Sequence, residues 1–116
     1  MEFHGEENFS DIDLVHSNIK EIYFEGKNAL VIKIDLPTDI LKGKPNGVLT
    51  LIDYIGGNEL ITYIKKLQEI EIESIILTNY ESNNNSLFEF TFQFSEDPLS
   101  EIKVVCKNYW WERVEK

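Results

Sequence analysis

Four phenylalanines stand at every second position, Phe88, Phe90, Phe92 and Phe94, alternating with Glu89, Thr91 and Gln93. An extended strand sends successive side chains to opposite faces, so this run reads as a strand with one buried face and one wet face. Rings at this spacing pack in a core rather than stack on a ligand. The same period recurs at Leu30, Ile32, Ile34 and Leu36, with Lys33 and Asp35 on the other face. Chains patterned this way form antiparallel sheets with a core on one side.

Turn signals divide the chain into short apolar segments. Gly26-Lys27-Asn28 predicts a hairpin between Ile19–Glu25 and Ala29–Leu36. Pro37 to Gly47 is a longer connection, Glu81 to Ser86 an Asn-rich polar tip, and Ser95 to Pro98 another turn. Val48–Ile55 reads as a third strand, and Ile70–Tyr80 as a fourth that pairs with Phe88–Phe94. Ile102–Trp111 reads as the last strand. One segment follows a helical period instead: Leu60, Ile61, Ile64 and Leu67 share a face. A helix is expected from about Asn58 to Gln68, with Asn58 as its N-cap and Glu59 in the first turn. The expected class is α+β, mainly β: a curved antiparallel sheet or half-open barrel of about six strands with one helix. At 116 residues the chain is one domain, residues 1–116, with residues 1–9 expected to be mobile.

Charge limits the partners. Twenty-one acidic residues against 11 basic ones give a formal net charge of −10. A nucleic-acid binder needs the opposite sign, as does a protein held to an anionic membrane. From Leu67 to Ile102 there are eight acidic residues and no Lys or Arg, and Met1 to Ile19 hold five more, again with neither. Glu69, Glu71 and Glu73 alternate with Ile70 and Ile72. On a strand they form a solvent-facing row roughly 6.5–7 Å apart, close to the phosphate spacing of a nucleic-acid strand. Asp11, Asp13 and Glu21 form a second acidic group. These six residues are the expected charged contacts for a basic protein. A solvated strand face that discourages edge-to-edge aggregation is the plainer reading.

Trp110 and Trp111 must point to opposite faces of a strand, one toward the core and one outward. Trp111, with Tyr109, is the expected interface anchor, although alternation alone leaves open which tryptophan faces out.

The residues do not assemble a catalytic signature. Asp11, Asp13 and His16 are the nearest approach to a metal site, but His16 points away on an extended segment, and His4 is distant. Cys106, the only cysteine, follows Ile102 and Val104 on a core face and reads as a buried structural thiol. Gly56-Gly57-Asn58 is too short for a phosphate loop and lacks its lysine. Asp53 falls in phase with Leu49 and Leu51, and a carboxylate on a core-directed face must be paired, hydrogen-bonded or at an opening. No metal or cofactor is expected. The acidic N-terminus lacks a secretory pattern and a lone cysteine suits a reducing compartment, so a cytoplasmic location is expected.

The segment from Phe9 to Gly26, with Asp11, Asp13, His16, Ile19, Ile22 and Phe24, and the following Leu30 and Ile32, resembles the opening of small bacterial immunity proteins. These are encoded beside polymorphic or contact-dependent toxins. The resemblance covers about the first third of the chain and includes no invariant motif, so it assigns no functional residue. It implies a non-enzymatic, stoichiometric inhibitor of a cognate toxin, often a basic nuclease. The alternatives are a small ligand-binding domain or enzyme with a pocket near Asp53, and a structural adaptor subunit.

Overall fold

The computed structural model describes Phe9, Leu14 and residues 16–36, 46–66, 70–82 and 85–114. Among these residues the elements are β1 (Asn18–Glu25), β2 (Ala29–Asp35), β3 (Asn46–Ile52), α1 (Gly57–Ile64), β4 (Ile72–Ser82), β5 (Asn85–Phe94), β6 (Asp97–Cys106) and β7 (Asn108–Val114). Two antiparallel sheets result. The first, sheet A, has the order β1-β2-β3-β7, and the second, sheet B, has the order β4-β5-β6. Isolated bridges between Asn18 and Glu71 and between Ile55 and Val105 join them on two sides without closing a barrel. The architecture is the expected mainly β one, with seven strands rather than about six.

The period-two runs account for the core. Leu30, Ile32 and Ile34 are fully buried on β2, as are Leu49 and Leu51 on β3. The four phenylalanines of β5 face them across the interior. Phe88 and Phe90 meet Tyr109 of β7 edge to face, with ring centroids 5.0 and 5.2 Å apart, a favoured aromatic geometry. Phe9 lies in this core, packed edge-on against Phe90 at 5.4 Å and Trp111 at 5.2 Å, whereas residues 1–8 of the expected mobile lead lie outside the described residues.

The extra strand comes from a break in Ile102–Trp111. Ile102, Val104 and Cys106 point inward on β6, whereas Tyr109, Trp111 and Arg113 do so on β7. The inward parity changes from even to odd because Lys107 is a corner whose amide donates to the Ile52 carbonyl at 3.0 Å. The chain thereby leaves sheet B and enters sheet A beside β3.

The helix also differs from expectation in its cap. Gly56, not Asn58, is the N-cap, with φ 100 and no side-chain cap hydrogen bond. The left-handed backbone favours glycine, and a Cβ there would lie 2.7 Å from the Lys103 carbonyl oxygen. Glu59 sits in the first turn as expected, and Leu60 and Ile64 are buried. The helix ends at Ile64 with Lys65 as its C-cap, short of the expected Gln68; Leu67 and Gln68 themselves lie outside the described residues.

Candidate functional site

The expected acidic row is described in part. Ile72 is fully buried while Glu71 and Glu73 on either side of it lie toward solvent, so the strand alternates as predicted. Glu71 Oε2 is 3.5 Å from His16 Nδ1, and Ser95 Oγ donates to Glu73 Oε2 at 3.4 Å. The backbone carries Glu71 to the sheet junction, where Ile72 N–H donates to the Ser17 carbonyl at 2.7 Å. Glu69, Asp11 and Asp13 lie outside the described residues. Glu21 belongs to a different surface, sheet A, where its Oε2 stands 3.5 Å from Lys33 Nζ. The structure therefore brings Glu71 and Glu73 together and places Glu21 apart from them.

The expected anchor is corrected. Trp111 is fully buried and Tyr109 is 6% exposed, so neither is available to a partner in the folded protein. Trp111 pairs with Leu49 in the sheet and lies over Gly47, where any Cβ would collide with the indole. Trp110 points the other way and is half-buried on the outer face of sheet A.

That outer face is the surface that sequence reasoning missed. The register places Tyr23, Val31, Thr50 and Trp110 side by side across β1, β2, β3 and β7. A parallel row holds Glu21, Lys33, Val48 and Glu112, and a third holds Glu25, Ala29, Ile52 and Asn108. Lys33 Nζ lies 5.6 Å from the Tyr23 ring centroid as well as beside Glu21. Outward positions of an antiparallel sheet are ordinarily polar. Here they include Tyr23, Val31, Val48, Ile52 and Trp110. The available signal was Val31, an apolar residue in phase with Lys33 and Asp35.

Asp53 does not face the core. β3 ends at Ile52, and Asp53 turns the chain with φ 54 at an exposed position. Its amide donates to the Asn28 carbonyl at 2.8 Å, and its Oδ1 accepts from Asn28 Nδ2 at 3.1 Å. It is a structural aspartate tying two turns together. A shallow depression of about 320 Å³ lies elsewhere, lined by Asn58, Glu59, Thr62, Tyr63, Lys66 and Ile102. Tyr63 donates to Asp97 Oδ2 at 2.9 Å, and Ser100 donates to the same oxygen at 2.7 Å. Burial, and then the Asp97 bond, raises the Tyr63 phenol above its ordinary pKa. This network holds a phenol protonated.

Cys106 is fully buried, and desolvation pushes its thiol up to about 12. A thiol protonated at neutral pH is a poor nucleophile, in line with the structural role expected of it. Among the described residues no three His, Cys, Asp or Glu side chains cluster to hold a metal ion. None of the described helices is long and apolar enough to cross a membrane. No protein-family model, curated protein or solved structure matches the chain.

Proposed function

We propose that this chain is an immunity protein that binds a cognate bacterial toxin domain of basic character and neutralises it by covering its active site with an acidic face. The observation that carries the reading is the sign and placement of charge. In a chain of net charge −10, Glu21, Glu25 and Asp35 on sheet A and Glu73, Glu81 and Glu101 on sheet B are all exposed. Such a field speeds encounter with a positive cleft and disfavours acidic competitors. The resemblance of the first third of the chain to immunity proteins points the same way.

The reading requires a toxin domain encoded beside this chain's gene, and a neighbourhood without one would refute it; the test uses that domain, purified with an inactivating substitution. The wild-type protein should bind it at one to one, with an association rate that falls as salt rises. Changing Glu69, Glu71 and Glu73 together to Gln keeps shape and removes charge. That variant should associate several-fold more slowly at low salt and dissociate at an unchanged rate. An association rate unaffected at every salt concentration would refute the electrostatic part of the reading.

A further inference from the structure

The outer face of sheet A combines two features that seldom occur together on a solvated sheet: an apolar and aromatic centre and an acidic rim. Tyr23 and Trp110 stand at the two ends of one cross-strand row, with Val31 and Thr50 between them. Three strand spacings put the two aromatic positions roughly 14 Å apart. Val31 points outward yet is only 3% exposed, so a partner would meet the half-buried Tyr23, Thr50 and Trp110 around it rather than Val31 itself. Val48 and Ile52 extend the apolar centre along β3 in the adjacent rows. The one α-helix among the described residues packs against β6.

We infer that this face is the docking surface of the proposed immunity protein, with Trp110 and Tyr23 as anchors for a partner surface that is apolar at its centre and Lys- or Arg-rich at its edge. The inference rests on the function proposed above and deepens it by naming the contact face. An apolar patch rimmed by charge is the ordinary anatomy of a protein interface, and Trp and Tyr are its commonest anchors. The span between the rings fits a partner helix, about 10–12 Å across with side chains.

Charge decides the occupant. Glu21, Glu25, Asp35 and Glu112 border the patch, and Lys33 is already engaged by Glu21 and the Tyr23 ring. A second copy docked through the same face would set these carboxylates against their own kind. A basic surface would meet each of them with an opposite charge. Glu71, at the junction of the sheets, and Glu73, on sheet B, then contribute through the long-range field at encounter, whereas Trp110 and Tyr23 govern how long the complex lasts.

The experiment measures association and dissociation of the same inactivated toxin domain on wild type and four variants, each checked first by its melting temperature. Trp110→Ala and Tyr23→Ala should each raise the dissociation rate about tenfold or more. Thr50→Lys places a cation in the centre from an outward-facing position, and should weaken binding at least as much without disturbing the core. Tyr80→Ala, on the outer face of sheet B, should change the dissociation rate by less than about twofold. If wild type binds and the three sheet A variants release the toxin domain at the wild-type rate, this face is not the docking surface and the function stands. If wild type does not bind the toxin domain, the proposed function fails and this inference fails with it.

Discussion

Adjacent residues of the same type carry opposite roles in this protein, and Trp110 and Trp111 are the clearest case. Alternation required one of them to be inside, but it could not say which, because that depends on the parity of β7. Parity was set at Lys107, a corner created by a hydrogen bond to Ile52 in a distant strand. Trp111→Ala should therefore cost about 3–5 kcal/mol in urea unfolding, since it empties a fully buried site against Gly47. Trp110→Ala should cost clearly less; equal losses would contradict the assigned faces. Cys106 was legible from the sequence because its neighbours Ile102 and Val104 share its parity. Its folded-state pKa of about 12 lies above the ordinary 9.0, so the neutral thiol favours the folded state. That contribution is complete below pH 9 and is lost as pH rises toward 12. A thiol-specific reagent at about pH 8, below the ordinary thiol pKa, should leave Cys106 unmodified in native protein and label it promptly in denaturant. Rapid labelling without denaturant would place the thiol at the surface.

At the level of elements, strands announced themselves and their ends did not. β2 and β5 were readable from one-in-two apolar spacing alone. The end of β3 was not, since Asp53 continues the phase of Leu49 and Leu51. Only its left-handed backbone and its bonds to Asn28 show that the strand has stopped. The helix start was displaced for a similar reason. Asn58 is chemically the better cap, but the approach of the Lys103 carbonyl to Gly56 selects a residue without a side chain. Two glycine substitutions separate these causes. At Gly26, with φ 66, an added Cβ would meet nothing within 4 Å, so Gly26→Ala carries only the left-handed penalty of about 1–2 kcal/mol. Gly56→Ala carries that penalty and a backbone collision, and should lower stability further in the same denaturant assay. If the two variants prove equally stable, the close approach to Lys103 is wrong.

For the whole molecule, the proposed basic partner was drawn from composition, and the proposed docking face comes from topology. The acidic row at Glu71 and Glu73 was visible as a pattern within one segment. The patch from Tyr23 to Trp110 was not, because its four members come from four strands spread between β1 and β7. Local spacing cannot reveal a row that exists only across a sheet. The pairing of β3 with β7 has a further effect, on the time course of synthesis. Ile52 lies opposite Asn108, so β3 leaves the ribosome several seconds before its neighbour at roughly 5–20 residues per second. During that interval β3 lacks the strand that pairs with its second edge in the finished sheet. Trp110 arrives late, so half of the aromatic pair is missing until nearly all of the sheet has been made. On the docking face proposed above, an unfinished chain would carry Tyr23 without Trp110, so the capacity to bind would begin with the same step that completes the sheet.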